Sequence, residues 1–210
     1  ARDIEIHGNG QLKLVNQLLD ISKIKSNAND LKWRNGDITT YISMVVASYN
    51  TYARNKDITL RMHGDENVVM DFVPDYAHKV IDNLLSNAFK FTHALGQVDV
   101  YVVRVGNILH IDVNDTGEGM DNKTMDNVFK AFYQGPSDSQ NLGTGVGLSL
   151  VKHIMESVHG TISVESQVGK GTKFHIEIAI TNNCDVQLEE KDMEFDPVTP
   201  VEQKELKDSD

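Results

Sequence analysis

The chain has 210 residues, a formal net charge of −11 at pH 7, 40% hydrophobic residues and one cysteine, Cys184. This length and apolar content suit one full domain with an appendage, and the acidic balance excludes a generic nucleic-acid binder, which needs a basic face. A single cysteine excludes an internal disulfide framework or a cysteine-based zinc site and fits a reducing cytosol, and no apolar run reaches the length of a membrane span.

The first predicted element is a helix over residues 9–26, "NGQLKLVNQLLDISKIKS". Apolar residues recur at positions 12, 15 and 19 and again at 14, 18 and 21, which places two adjacent stripes on one helix. A lone surface helix normally has one stripe, so we expect a partner helix from outside this sequence or from a second chain. Residues 1–27 are therefore predicted to be a helix of a bundle.

A second helix is predicted from residue 37 to about residue 55, because Asp37 can cap its first turn. Strand-like runs follow at 58–62 and 68–72. Pro74 is placed to begin the next helix, since proline lacks the N–H group that a first turn leaves unpaired. These signals place the start of a folded domain shortly after the bundle helix.

The second half of the chain contains mainly strands. Runs at 97–105 and 108–115 are joined around Gly106 and Asn107, a hairpin signal. The remaining predicted elements are helices near 123–131 and 146–158 and strands at 160–166 and 171–180. This order predicts an α+β fold over residues 28–181, a two-layer α/β sandwich with a mixed sheet and helices on one face, and it does not match a Rossmann-type alternation.

The last segment, residues 182–210, is acidic. From Asp185 onward it holds ten Asp or Glu and three Lys residues, a balance of −7. It contains two prolines, few apolar residues and no periodicity, so we expect a disordered linker or tail.

The helix after Pro74 contains "DNLLSNAFKFT", in which two asparagines stand one turn apart beside an apolar stripe. Asn83 and Asn87 each weaken a helix by a few tenths of a kcal/mol relative to a better helix former. The ordinary explanation is a polar edge that faces water. The alternative is that the carboxamides serve a binding site.

Three glycine-containing turns punctuate the second half: "DTGEGM" at 115–120, "GTGVGL" at 143–148 and "GKGT" at 169–172. Each one alone is a weak signal, because glycine pairs mark turns in most proteins. In "GTGVGL" the glycines run directly into a helical pattern, so free N–H groups of the first turn can receive phosphate oxygens. A flexible loop before a helix explains that motif equally well.

"DTGEGM" follows an apolar strand and places Asp115 at the end of a half-buried sheet. A carboxylate there can accept a hydrogen bond from an exocyclic amine, and Gly117 and Gly119 allow a flat ring such as adenine to approach the backbone. A simple Asp-Thr-Gly turn, with Asp115 bound to its own backbone, is the alternative.

Five segments in order carry a family resemblance. "DNLLSNAFKFT", "DTGEGM", "VFKAFYQG", "GTGVGL" and "GKGT" resemble the N, G1, F, G2 and G3 boxes of the ATP-binding catalytic domain of sensor histidine kinases, in the superfamily shared with gyrase, Hsp90 and MutL. The match covers roughly residues 30–180 and implies a Bergerat-type fold. "LVNQLLDISKIKS" resembles the second helix of the dimerisation and phosphotransfer hairpin, and the tail resembles a linker to a receiver domain of a hybrid kinase.

The resemblance implies a role for each box. Asn87 would bind the Mg²⁺ ion of Mg·ATP with support from Asn83, and Lys90 would reach the phosphates. Phe129 and Phe132 would anchor a mobile lid over residues 133–143, although their spacing also suits a core. The remaining implied nucleotide contacts are Asp115, Gly117, Gly119, Met120 and Thr172 toward adenine and Gly143, Gly145, Val146, Gly147 and Leu148 toward the phosphates.

Three functions fit this set of boxes. The first is transfer of the ATP γ-phosphate to a histidine, the second is ATP hydrolysis in a clamp of the gyrase and Hsp90 type, and the third is a noncatalytic nucleotide-binding or dimerising module. The clamp branch has a glutamate where this chain has Asn83, and an amide cannot act as a general base near neutral pH. All five boxes are intact, which favours phosphoryl transfer.

The expected acceptor histidine is missing from its place. The only early histidine is His7 in "EIHGNG", too close to the predicted helix to leave room for a hairpin turn. We therefore expect the acceptor hairpin of the parent kinase to be a partner, together with a receiver domain and a second copy in a homodimer. The fragment is expected to lie in the cytoplasm without membrane contact, either in a free kinase or as part of a membrane-anchored sensor.

Overall fold

The computed structural model describes residues 2–26, 31–135 and 143–195. Its elements in chain order are α1 Arg2–Ser26, β1 Arg34–Asp37, α2 Ile38–Ser48, α3 Asn50–Asn55, β2 Thr59–Gly64, β3 Val69–Phe72, α4 Pro74–Phe91, β4 Gln97–Val105, β5 Ile108–Asp115, α5 Asn122–Met125, α6 Gly147–Ser157, β6 Thr161–Gln167 and β7 Gly171–Ala179, followed by a short 3₁₀ helix, Glu190–Met193. No helix within these ranges combines the length and apolar character that crossing a membrane requires.

The helix starts follow the predicted local signals. The Asp37 carboxylate accepts hydrogen bonds from the backbone N–H groups of Thr39 and Thr40 at 3.0 and 3.3 Å, and Pro74 is the first residue of α4. The helix predicted after Asp37 is divided at Tyr49 into α2 and α3. Both predicted helix starts are confirmed, because a capping side chain and a first-turn proline each act on the few residues next to them.

Two helix predictions were wrong in extent. Helix α1 begins at Arg2, so His7 lies inside it, whereas the sequence pattern placed the start near residue 9. The helix predicted near 123–131 is limited to Asn122–Met125, and turns follow it up to Phe132, which has a positive φ of 64°. A non-glycine residue in that region of φ is incompatible with a continuing helix.

Five strands form a mixed sheet in the order β2-β4-β5-β7-β6. Strands β2 and β4 are parallel, and the other neighbours are antiparallel, including the predicted β4–β5 hairpin. Helices α4 and α6 contact each other and the sheet, and α2 packs on α4. The predicted α+β sandwich with helices on one face is confirmed.

Strand register decides which side chains face the helices. Val100, Val113 and Phe174 are paired in succession across β4, β5 and β7 and are all buried. Because side chains alternate along a strand, Asp115 and Thr172 point to the same face, two residues nearer the end of their strands. The apolar face of the sheet therefore gives way to polar side chains where β5 ends and β7 begins.

Part of the predicted disordered tail is ordered in the structure. Asp71 is buried in β3 and accepts hydrogen bonds from the backbone N–H groups of Asn183 and Cys184, at 2.5 and 3.2 Å, and from the Thr181 hydroxyl at 3.0 Å. Burial by itself would raise the pKa of Asp71, but these hydrogen bonds and one from Asn35 lower it. The carboxylate thus fixes the first residues after the sheet.

The next residues continue along the domain surface. The Asn35 backbone of β1 donates to the Val186 carbonyl and accepts from the Leu188 N–H group, both at 2.8 Å. Arg34 then pairs with Asp192 at 2.9 Å, and Phe195 packs edge-on against Tyr41 with ring centroids 5.3 Å apart. The prediction of disorder was wrong for 182–195, because a free strand edge and one arginine supply partners that composition does not reveal; residues 196–210 lie outside the described ranges.

Candidate functional site

A polar network occupies the end of the sheet at Asp115. The Oδ1 atom of Asp115 accepts a hydrogen bond from the Gly117 N–H group at 2.8 Å. Burial raises the pKa of Asp115 to about 6, although backbone hydrogen bonds from Gly117 and Thr172 act in the opposite direction. A partly desolvated carboxylate in this position is a strong acceptor for an N–H donor of a ligand.

Ser166 joins this network from β6, opposite Thr172. Its hydroxyl donates to the Gly171 carbonyl at 2.8 Å and accepts from the Met120 N–H group at 2.8 Å. The Thr172 hydroxyl lies 3.0 Å from it, and since the single Ser166 hydrogen is already donated, Thr172 is the donor of this pair. Ser166 therefore links the two predicted residues Met120 and Thr172, and the sequence contained no signal for it.

The glycines of the 115–120 turn are required by the protein itself. A side chain on Gly117 would collide with the Phe91 carbonyl oxygen at the end of α4. Gly119 has φ +67°, and a side chain there would collide with the Gln167 carbonyl oxygen. The turn is thus pressed between α4 and β6, which holds Asp115 in a defined position beside Thr172. Gly117 and Gly119 were predicted to allow a flat ring to approach the backbone. These contacts show that the packing of the turn requires both glycines without any ligand.

Helix α4 presents the predicted phosphate-side residues. Asn83, Asn87 and Lys90 are three or four residues apart and share one face of the helix. The Asn83 side chain is buried, donates to the Lys79 carbonyl at 2.6 Å and accepts from the Gln17 amide at 3.2 Å. Asn87 is partly buried, and its side chain makes no hydrogen bond to any residue of the described ranges.

The glycine-rich loop lies against this face. A Cβ atom on Gly143 would lie 3.4 Å from the Lys90 Nζ atom, and one on Gly147 would lie 2.5 Å from the Asn83 Oδ1 atom. Helix α6 begins at Gly147, and the side chain of its N-cap residue, Val146, gives the first turn no hydrogen bond. Its initial N–H groups, including that of Leu148, therefore face the same region as Asn83 and Lys90, and their partial positive charge favours an anion.

Helix α1 contributes a residue that the sequence did not mark. The Gln17 side chain is buried, and besides donating to Asn83 it accepts from the Thr144 hydroxyl at 2.6 Å. Gln17 thus connects the bundle helix to both α4 and the glycine-rich loop. Gln17 lies three residues after Leu14 and four before Ile21, on the side of the second apolar stripe. Because its side chain is polar, the spacing of the stripes did not indicate this contact.

The two predicted lid anchors occupy different environments. Phe129 packs against the core with its ring 6.2 Å from that of Phe174. Phe132 is 60% exposed, and its backbone N–H group donates to the Gly145 carbonyl at 2.8 Å. Phe129 therefore anchors the segment before the loop, and Phe132 ties that segment to the loop itself. Most of the predicted lid, residues 136–142, lies outside the described ranges.

These features suit a ligand with two chemically different ends. A partly buried acceptor, Asp115, lies at one end of the site, and Lys90 with the first turn of α6 provides positive potential at the other. The Asn87 carboxamide could supply a neutral oxygen ligand of the kind that Mg²⁺ takes together with phosphates. A nucleotide has this combination of amine, ring and anionic chain.

Comparison with known proteins assigns the fold to a family. Residues 72–182, more than half of the chain, match the model described as histidine kinase-, DNA gyrase B- and HSP90-like ATPase. The chain belongs to this family. The matched residues include all five predicted boxes and both ends of the site described above, and membership implies that the domain uses a nucleotide.

Two curated relatives of the chain are named as histidine kinases. The chain is 33% identical over 173 residues to the sensor histidine kinase TmoS of Ectopseudomonas mendocina, covering 80% of this chain and 18% of that protein. It is 29% identical over 216 residues to the hybrid signal transduction histidine kinase D of Dictyostelium discoideum, covering 97% of this chain and 14% of that protein. The chain thus contains the ATP-binding catalytic domain of a sensor histidine kinase and spans less than a fifth of these two relatives.

The fold comparison agrees with this assignment. A crystal structure of full-length ShkA in complex with AMPPNP superposes with a TM-score of 0.75 at 24% identity, covering 86% of this chain and 38% of that one. The nucleotide-free catalytic domain of the histidine kinase ThkA gives a TM-score of 0.65 at 20% identity and covers 72% of this chain and all of that one. At these identities the likeness establishes the fold of the ATPase domain.

Proposed function

We propose that this chain binds Mg·ATP between the sheet end at Asp115 and helix α4 and transfers the γ-phosphate to a histidine of its parent kinase. One observation carries the proposal. The turn after the partly buried Asp115 carboxylate lies against the C-terminal end of α4, and Asn83 and Lys90 of the same helix lie beside the glycine-rich loop that leads into α6. This arrangement complements an adenine amine at one end and a triphosphate at the other.

The residues at the adenine end would orient the nucleotide. Asp115 would accept a hydrogen bond from the exocyclic amine of adenine. The Ser166–Thr172 pair holds the adjoining strand and the Met120 backbone in place. Met120, packed at the edge of the core, would contact the ring. Since these groups are fixed by strand pairing, they can position the ring before the phosphates are bound.

The residues at the phosphate side would control the transferred group. When bound, Mg²⁺ would neutralise charge on the phosphates, and Asn87 is the residue placed to hold it. Lys90 and the N–H groups of Gly147 and Leu148 would bind phosphate oxygens. Closing the 133–143 segment, with Phe129 and Phe132 at its base, would exclude water.

Hydrolysis is the less favoured reaction at this site. Asn83 occupies the place where a general base would be needed, and its amide cannot accept a proton near neutral pH. Its side-chain nitrogen and oxygen are already engaged with Lys79 and Gln17. This arrangement supports phosphoryl transfer over a water-activating ATPase clamp.

Helix α1 supports the proposed partners. Among the side chains described from residue 11 onward, Leu12, Val15, Leu18 and Leu19 are substantially exposed, while Gln17 and Ile24 are buried. An exposed apolar stripe suits the bundle of a homodimer with the acceptor hairpin. We therefore propose residues 1–27 as the hairpin helix, 28–181 as the catalytic domain and 182–210 as a linker whose first part docks on that domain, with a receiver domain as the downstream partner.

The test is transfer in trans. The 210-residue chain is mixed with radiolabelled Mg·ATP and a separate polypeptide that bears the complete acceptor hairpin of the parent kinase. We expect slow, acid-labile labelling of the hairpin, because a bimolecular reaction lacks the effective concentration of the joined chain. Asn87→Ala should abolish labelling and weaken Mg·ATP more than metal-free ATP.

The matched control is Asn127→Ala, which removes a carboxamide just after helix α5. This variant should label the hairpin as the wild type does. Labelling of the isolated chain on His7 would contradict the assignment of α1. Tight ATP binding without labelling of the hairpin at any concentration would instead favour a noncatalytic module.

A further inference from the structure

The face of the sheet opposite the helices carries a cluster of metal-ligand side chains. His110 on β5 is the register partner of Glu177 on β7, and His175 stands two residues before Glu177. Because side chains two residues apart share a face, all three point to the same side of the sheet. Within the described residues, their potential ligand atoms all lie within 4.8 Å of one another.

The three ligand atoms form a nearly equilateral triangle. The His110 Nδ1 atom is 3.5 Å from His175 Nε2 and 3.5 Å from Glu177 Oε1, and His175 Nε2 is 3.4 Å from Glu177 Oε1. Ligands bound tetrahedrally to Zn²⁺ at about 2.0 to 2.1 Å are about 3.3 Å apart. The cluster therefore already has the size of one face of a zinc coordination tetrahedron.

The ring positions agree with this geometry. Two imidazoles whose nitrogens bind the same tetrahedral ion have ring centroids about 5.2 Å apart, given the usual Zn–N length. The centroids of His110 and His175 are 5.3 Å apart. The two nitrogens, 3.5 Å apart, are closer together than the centroids, so they lie on the facing sides of the rings, whose planes are inclined by 30°.

A second layer of contacts orients His175. Its Nδ1 atom is hydrogen-bonded to the Asp112 carboxylate, whose other oxygen is 3.0 Å from the Lys173 ammonium. A carboxylate that binds one imidazole nitrogen fixes the tautomer and leaves the other nitrogen, here Nε2, for a metal. Lys173 balances the charge of Asp112, so Glu177 is the anionic ligand of the set.

We propose that His110, His175 and Glu177 bind a divalent transition-metal ion of the Zn²⁺ class, with its fourth position open to solvent. Two imidazoles and one carboxylate are a ligand set that zinc takes in proteins, and a hard cation such as Mg²⁺ prefers oxygen ligands. The ion would join β5 to β7 on the face away from the nucleotide. It is therefore independent of the proposed catalytic metal at Asn87.

The site is tested by titrating the nucleotide-free 210-residue chain, without an affinity tag, with Zn²⁺ in competition with a chromophoric chelator. We expect one tight site per chain, and at least tenfold weaker binding for His110→Ala and for Glu177→Gln. Asp112→Asn should weaken binding ten- to hundredfold through the lost orientation of His175. Co²⁺ in place of Zn²⁺ should give the intense visible absorption of a four-coordinate ion.

The matched control is His63→Ala. His63 is on the same sheet face but pairs with Asp99 at 2.9 Å, so its removal should leave Zn²⁺ affinity unchanged. Wild-type affinity in the Glu177→Gln variant, whose changed side chain is 43% exposed and compatible with folding, would overturn the proposal. A weak, six-coordinate Co²⁺ spectrum would overturn it as well, and circular dichroism verifies that His110→Ala is folded.

Discussion

The two ends of the proposed nucleotide site are built in different ways. The adenine end lies within one sheet, where β5, β6 and β7 supply Asp115, Ser166 and Thr172 through strand register. The phosphate side is assembled from three elements far apart in the chain, with Gln17 of α1 bonded to Asn83 of α4 and to the glycine-rich loop. The adenine end is thus preorganised, whereas the phosphate side depends on how α1 is docked.

This difference suggests a division of work. A part fixed by backbone pairing can bind adenine with little reorganisation, and a part held by side-chain contacts between elements can change when those elements move. A movement of the bundle helix α1 would then change the binding of the phosphates more than the binding of the adenine ring. Four measurements test this comparison.

The largest effect is expected at the adenine end. Asp115→Asn places an amide where the ligand amine needs an acceptor, and an unpaired buried polar group costs about 1 to 3 kcal/mol. Calorimetry should show about ten- to hundredfold weaker binding of ADP with and without Mg²⁺. Asp126→Asn makes the same change on an exposed side chain near α5 and should bind as the wild type does; equal affinities for both variants would remove Asp115 from the site.

The pH dependence of binding should originate at the same end. The pKa of Asp115 is raised to about 6 by burial, so the carboxylate needed by the amine is lost as the pH falls through that value. ADP affinity should decline by up to about tenfold per pH unit below 6, since one proton competes with binding. A flat profile in Asp115→Asn is the expected control, and an equally steep profile in that variant would place the titrating group elsewhere.

Lowering the pH should have the opposite effect on the stability of the nucleotide-free domain. The native carboxyl holds a proton more tightly than a solvated aspartate, whose pKa is 3.8. The folded state therefore binds more protons between about pH 4 and 6, and this group makes stability fall as the pH rises through that window. Above it, Asp115→Asn should be no less stable than the wild type to urea. Asp115→Asn should thus weaken ADP binding without lowering the free energy of unfolding.

The smallest effect is expected from the link to α1. Gln17→Ala removes two hydrogen bonds, each worth about 0.5 to 1.5 kcal/mol, and frees Thr144 in the loop. Mg·ATP affinity should fall a few-fold while adenosine affinity stays constant. Asn16→Ala, an exposed change one residue earlier, should alter neither, and an equal loss for adenosine and Mg·ATP would show that the two ends are not independent.

Local signals in the sequence determined much of the fold and the position of the boxes. The Asp37 cap, Pro74, the β4–β5 hairpin and the run of glycines before α6 act within a few residues, so their effect can be inferred from short segments. The order of the five boxes pointed to the family in the same way. The break at Tyr49 and the extent of α1 and α5 were not predictable with equal success, because packing decides where a helix ends.

Only the tertiary structure decided which distant side chains meet. Ser166 joins the adenine end because β6 pairs with β7, and Gln17 reaches Asn83 across 66 positions of the chain. The acidic segment after the sheet is held by Asp71 and Arg34, and the His110–His175–Glu177 triangle exists only in the register of β5 with β7. A one-residue slip would turn each strand's side chains to the other face, and composition and spacing carry no information on that register.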